Sequence, residues 1–247
     1  MLAIIGGSGL YSLGDDFELQ EQLSRETPYG DTSADILQGR WHGIELAFLP
    51  RHGPGHKVPP HRINYRANLW ALGHAGVTQI IAVNAVGGIS ADMAPLTLAL
   101  PDQIIDYSSG RAQTYFDGDD SQVTHIDFSW PYSARLRAII LEAGLQQGLP
   151  LVDSGTYGNS NGPRLETAAE IVRMRRDGCT MVGMTGMPEA VLARELEIEY
   201  ACLALAVNWA AGIEDRTISM QEIIANMEQG MLRTRALLLG AAMKIGQ

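Results

Sequence analysis

Ala201-Cys-Leu-Ala-Leu-Ala-Val207 is a run of seven apolar residues that ends at Asn208-Trp-Ala-Ala-Gly212. A strand wet on one face alternates apolar with polar residues, so an unbroken run fits a central strand covered on both faces. Downstream, Met220–Ile245 has the spacing of a long helix with Ile223, Ile224, Met231 and Leu238 on its apolar face. Upstream, Pro188–Leu196 predicts a helix, Thr180–Met184 a buried strand, Glu166–Arg176 a helix and Leu151–Tyr157 a strand. Before those come a helix over Ser133–Gln147, a β-branched strand over Val77–Val86, and a helix over Asn64–Ala75 that Gly76 caps. Ile44–Leu49 and Leu2–Ile5 read as further strands. Strands and helices alternate throughout, which predicts an α/β fold, one domain over residues 1–247 with a central, buried sheet. No repeat, low-complexity block or linker divides it.

A chain of 247 residues with 46% in the hydrophobic set can bury a substantial core. Eighteen Lys and Arg against 28 Asp and Glu leave a net charge of -10. Partners that are nucleic acid or anionic membrane call for a basic surplus, so neither is expected. A small anion remains possible, because a local Arg and His cluster suffices for it. Cys179 and Cys202 sit in apolar runs without zinc spacing, which suits a reducing compartment. The start, MLAIIGGSGLY, lacks the basic region of a signal peptide, and no apolar stretch approaches a membrane span. The expected location is the cytoplasm.

Chemistry should gather where the strands end. Gly6-Gly7-Ser8-Gly9-Leu10 follows the first strand; its glycines let backbone N–H groups approach an oxyanion, and Ser8 adds a hydroxyl. A dinucleotide fingerprint competes, but position 12 is Ser and no strand ending in a carboxylate stands at the usual distance. Arg51-His-Gly-Pro-Gly-His-Lys-Val-Pro-Pro-His-Arg62 holds three His within ten residues. Its interleaved cations and lack of carboxylates disfavour a metal, whereas an Arg51 fork and a His52 donor suit an oxyanion. A solvated basic loop is the plain alternative. Four more loops follow strands: Asn84–Gly88, Gly158–Glu166, Gly183–Glu189 and Asn208–Gly212. Singly, each has a bland explanation; Arg164 or Glu166 can cap a helix, and Glu189 can complement a helix dipole. Together the six describe a pocket with phosphate donors and without an obvious metal, Ser/His/Asp triad or reactive Cys.

In order, these segments resemble the trimeric purine nucleoside phosphorylase superfamily, and most closely its methylthioadenosine phosphorylase branch. The resemblance rests on IIGGSGLY, TPYGDTS, RHGPGHKVPPHRINYRANLWAL, NAVGG, PDQIIDYSSGR with TYFDG, GPRLETAAE and VGMTGMPEAVLARE, and so covers nearly the whole chain. It implies a central mixed sheet flanked by helices, a homotrimer, and phosphorolysis of a purine nucleoside without metal or organic cofactor. Inorganic phosphate is then the co-substrate, attacking C1′ as the purine leaves. By motif position Ser8, Arg51, His52, Asn84, Ala85 and Thr185 match the phosphate set, Met184 lies against the ribose, and Leu165, Glu166, Asn208, Trp209 and Ala210 match the base wall. His52 and Asn208 are the implied catalytic pair: His52 with Arg51 holds phosphate against the positive sugar carbon, and Asn208 meets the negative purine.

Departures from the family pattern set the expected specificity. The methylthioadenosine branch has Thr where this chain has Ser8 and Asn84, and a Phe where it has Leu165. The adenine-specific enzymes carry two Asp where this chain reads Asn208-Trp209-Ala210, and a small polar residue in place of Glu166. Glu166 and Asn208 are the pattern of inosine/guanosine enzymes, where Glu accepts from N1–H and the Asn amide donates to O6 and N7. On the 5′ side those enzymes use a His where this chain has Ile223, while Met220 matches an apolar residue of the methylthio branch. An apolar lining of Met220, Ile223 and Ile224 welcomes a methylthio group and leaves a hydroxyl unpaired. The plain alternative is that they form only the core face of a helix. His125 falls where that branch sends a residue into the neighbouring subunit's site. With Glu166, Asn208 and Met220 as specificity positions, the expected substrate is S-methyl-5′-thioinosine. Methylthioadenosine or inosine/guanosine phosphorolysis are the nearest alternatives; a nucleoside-binding protein without turnover and a dinucleotide-dependent oxidoreductase belong to other classes.

Overall fold

A computed structural model of the chain describes residues 1–118 and 122–246. Two long strands form its axis: β5 (Gln79–Gly88) and β11 (Glu199–Trp209). They pair in parallel from Glu199↔Gln79 to Trp209↔Gly88, with a register shift between Ala206 and Asn208. The apolar run separates by alternation. Cys202, Ala204 and Ala206 join a core layer with Leu69 and Leu72 of α1 (Tyr65–His74) and Ala190 and Leu192 of α4 (Glu189–Glu195). Ala201, Leu203, Leu205 and Val207 face the other layer, against Leu136 and Ile140 of α2 (Ala134–Gln146) and Leu237 and Leu238 of α5 (Met220–Ile245). Small residues on one face and large on the other therefore fit two different helix pairs, and both faces are covered.

β1 (Leu2–Gly6) pairs in parallel with the first half of β5 and with β4 (Ile44–Pro50). β4 continues antiparallel to β3 (Ile36–Trp41) and β2 (Phe17–Leu23), an edge strand whose middle is exposed. At the far end of β5, β10 (Met181–Gly183) replaces β1, pairing antiparallel to Gly87 and Gly88. β10 leads in parallel to β9 (Thr156–Asn159), and β9 to β7 (Gln103–Asp106). β6 (Leu98–Ala99) and β8 (Leu151–Val152) extend the sheet beyond β11. The sheet thus opens where β1 gives way to β10, at the carboxyl ends of β1, β4, β5 and β11. Such an opening is where open α/β sheets hold ligands. Among the described residues no helix is long and apolar enough to cross a membrane.

The expected fold class holds: one mixed sheet flanked by helices. Three of the features that were expected take a different form. Leu151–Tyr157 is two strands serving different neighbours, because Gly155 turns at φ 131°, where a Cβ would lie 2.4 Å from the Thr180 hydroxyl. The helix expected from Glu166 starts as α3 (Ala168–Arg176), because Thr167 and Glu170 close a reciprocal capping box. Ile224, expected on the buried face of α5, is half exposed.

Candidate active site

A cavity of about 690 Å³ lies at the opening of the sheet. At one end the Gly6–Leu10 turn, closed by Leu10 N–H on the Gly7 carbonyl (3.1 Å), brings Ser8 to the wall. Gly7 is required there: a Cβ would lie 2.3 Å from the Val83 carbonyl and 2.9 Å from Arg51 Nη1. Ala85 and Thr185 complete this end.

Arg51 at the end of β4 is fully buried, and its fork is already engaged. Nε and Nη2 each donate to a Glu189 carboxylate oxygen at 2.7 Å, and Nη1 donates to the Val83 carbonyl at 2.9 Å. Tyr200 at the base of β11 donates its hydroxyl to the same carboxylate at 2.8 Å. Burial opposes the guanidinium's charge, but Glu189 overrides it and holds the pKa above the ordinary Arg value. The expectation of a free charged fork is therefore corrected: only the second hydrogens of Nη1 and Nη2 remain for an anion. Glu189 is likewise more than a dipole partner, since it is fully buried and closes an ion pair.

His52 also differs from its expected donor role. Its Nδ1–H donates to the Val58 carbonyl at 2.9 Å, which leaves a lone pair on Nε2. Burial, reinforced by the neighbouring Arg51 charge, lowers its pKa to about 4, so the ring is neutral near pH 7. Toward phosphate it is an acceptor for a P–O–H group. Its ring stacks on His56 at 4.4 Å, and Tyr11 hydrogen-bonds His56 Nδ1 at 3.3 Å.

Asn84 does not line the cavity. It is buried behind Thr185, donating Nδ2–H to the Thr185 hydroxyl oxygen at 2.8 Å and accepting from Cys202 Sγ at 3.5 Å. The position falls inside a strand covered on both faces, so the side chain orients Thr185 and leaves its hydroxyl proton free for the cavity.

Elsewhere Leu165, Glu166, Asn208 and Ala210, the residues expected to meet the base, line the wall. Ser160 donates its hydroxyl to Glu166 Oε1 at 2.5 Å and fixes that carboxylate. Arg111 anchors the same loop, donating to the carbonyls of Asn161 at 3.0 Å and Met187 at 2.5 Å. Asn208 donates one amide hydrogen to the Trp209 carbonyl at 2.7 Å, so it has a single hydrogen for a base and cannot serve O6 and N7 together. Trp209 is displaced from the expected base wall: strand alternation turns it into a small adjoining cavity beside Glu214 and Arg216. Met184, Met220, Ile223 and Ile224 line the remaining side, where Met220 and Ile224 are 59% and 48% exposed and the cavity is open. His125 is exposed and lies outside this cavity.

The sequence reading missed Tyr200, Lys57, Tyr11 and the structural role of Glu189. A lone carboxylate between Pro188 and the apolar Ala190-Val-Leu192 was the available sign that Glu189 needed a buried partner.

The sequence profile of the phosphorylase superfamily matches residues 2–242. The chain belongs to that superfamily. A probable S-methyl-5'-thioinosine phosphorylase of Pseudomonas syringae pv. tomato is 52% identical over 236 residues, covering 96% of each chain. A 6-oxopurine nucleoside phosphorylase of Pyrococcus furiosus is 44% identical over 233 residues, 92% of this chain and 86% of that one. Among solved structures, methylthioadenosine phosphorylase from Schistosoma mansoni in complex with adenine superposes with a TM-score of 0.94 at 29% identity, covering 99% of this chain and 91% of that one. Against this superfamily background the incomplete dinucleotide motif at Gly7-Ser8-Gly9 is a phosphorylase loop, and the oxidoreductase alternative falls.

Proposed function

We propose that this phosphorylase cleaves S-methyl-5′-thioinosine with inorganic phosphate, giving hypoxanthine and 5-methylthioribose 1-phosphate. One observation carries the reading: a single cavity joins a Glu166–Asn208 base wall to an apolar wall of Met220, Ile223 and Ile224. The Pseudomonas relative named for that reaction, with 52% identity, supports it.

In this reading phosphate sits between Ser8, the Ala85 backbone, the Thr185 hydroxyl and the remaining Arg51 hydrogens, with its own hydroxyl directed at His52 Nε2. Phosphate oxygen forms a bond to C1′ as the C1′–N9 bond breaks, and the bonding pair leaves with the purine. The free hydrogen of Asn208 meets the negative charge at N7, and Glu166 accepts from N1–H. The proton lost by hydrogen phosphate is the one the departing base gains, so the step balances. Met184 packs on the ribose, and Leu165 on the base. No metal or organic cofactor enters the step. The proposal includes a cytoplasmic homotrimer in which His125 of one subunit approaches the open 5′ end of the next.

A panel of methylthioinosine, methylthioadenosine, inosine and adenosine, each with and without phosphate, tests this. Fastest release of hypoxanthine from methylthioinosine, dependent on phosphate, is the expected result. Binding without turnover would move the chain to the nucleoside-binding alternative, and faster cleavage of inosine would remove the 5′ assignment.

A further inference from the structure

The anion end of the cavity holds several hydrogen-bond donors but little net positive charge. Arg51 is matched by the buried Glu189 carboxylate. His52, buried beside the Arg51 charge, is a neutral ring, and His56 is stacked upon it. Glu166 adds a negative charge to the cavity wall, in a chain whose net charge is -10. A phosphate anion approaching such an enclosure meets repulsion from the whole molecule and no uncompensated cation from these groups.

Lys57 supplies what is missing. Among the described residues it is the one Lys or Arg lining the cavity that has no carboxylate partner. It is exposed at the mouth, beside His56 and on the loop that carries Arg51 and His52. The loop is shaped by left-handed backbone, with Gly53 and Gly55 at φ 69° and His56 at φ 56°. His56 has a Cβ and adopts this region against its preference. The loop then closes through Val58 N–H on the His52 carbonyl at 3.0 Å. This closure keeps Lys57 at the cavity edge instead of the outer surface, where Arg62 lies.

The geometry points to Lys57 as the residue that draws phosphate into the cavity and supplies the positive charge facing it, a role that rests on the phosphorolytic reading above. A cation at the mouth of a cavity raises the local anion concentration and the association rate, and an exposed one does so in a salt-dependent way.

Three variants test it. Lys57→Met keeps the stem and removes the charge, Lys57→Arg keeps the charge, and Arg62→Met removes an exposed cation outside the cavity. Binding of inorganic phosphate to the free enzyme is measured by calorimetry at low and high salt, and KM for phosphate with methylthioinosine as the nucleoside. Lys57→Met is expected to weaken phosphate about three- to tenfold at low salt, with kcat falling less than about twofold and the deficit shrinking at high salt. Lys57→Arg should restore most of the affinity, and Arg62→Met should leave it close to the wild-type value. Equal phosphate affinity in Lys57→Met and wild type, or an equal loss in Arg62→Met, overturns the assignment. Calorimetry needs no nucleoside, so failure to turn over methylthioinosine with phosphate binding intact would count against the substrate reading alone.

Discussion

Arg51 and Glu189 are each buried without measurable exposure, so neither can lose the other cheaply. Removing one partner leaves an unpaired charge in the core, at a cost of about 3–5 kcal/mol, whereas replacing both with apolar residues costs much less. In chemical denaturation, Arg51→Met and Glu189→Leu should therefore each be severely destabilising and the double variant less so than the sum. Additive costs would show that the pair is not coupled. An Arg51 single variant consequently confounds phosphate loss with folding, a consequence invisible in RHG and MTGMPE read separately. His52 makes a second residue-scale prediction. Its folded pKa of about 4 lies below the ordinary 6.5, because burial and Arg51 disfavour the imidazolium. Below pH 6.5 the unfolded chain takes up a proton that the folded chain refuses, so stability is lost as pH falls from 6.5 through about 4, by on the order of 3 kcal/mol. In phosphate-free buffer His52→Asn should flatten that part of the stability–pH curve; an unchanged slope would place the acid lability elsewhere. The sequence made most of the cavity-lining residues legible because they sit at strand ends in recognisable loops. It could not show that a fork, an imidazole and an amide had hydrogens already committed to Glu189, Val58 and Trp209, since those partners are set by packing.

At the scale of elements, the first turn of α5 carries the proposed 5′ specificity. Ile223 and Ile224 face the cavity from that turn, and Ser219 caps it by accepting from Glu222 N–H. Ile223→His places an imidazole in the lining without altering the cap. It should raise kcat/KM for inosine relative to methylthioinosine by about tenfold, the scale of one satisfied hydroxyl. An unchanged ratio would mean that α5 does not meet the 5′ group. The bounds of α5, and the caps of α1 and α2, follow from the sequence because Ser219, Asn64 and Ser133 are side chains that accept from helix N–H groups. β2 was not legible: Phe-Glu-Leu-Gln-Glu-Gln-Leu is mostly exposed and carries too little apolar surface to announce an edge strand. β6 and β7 escaped for another reason. At two and four residues they are held by neighbours that only the folded sheet supplies.

For the whole molecule, the sheet is built about one pair, β11, buried along most of its length, lying parallel beside β5. Everything else is arranged about that pair, and the site opens where β1 gives way to β10. In the proposed reading the same cavity meets base, sugar and phosphate at once, pairing a 6-oxopurine wall with an apolar 5′ wall. Adenine lacks the N1 proton that Glu166 would accept, and its N1 lone pair would face the carboxylate. Each such mismatch costs on the order of 1–3 kcal/mol. Asn208→Asp with Glu166→Ser should narrow the resulting preference, though Ala210 still lacks the second carboxylate of adenine-specific enzymes. The most direct measurement is the ratio of kcat/KM for methylthioinosine and methylthioadenosine in the wild-type enzyme at saturating phosphate. A preference for methylthioinosine of about 100-fold or more is predicted; equal cleavage of the two would contradict the reading of Glu166 and Asn208.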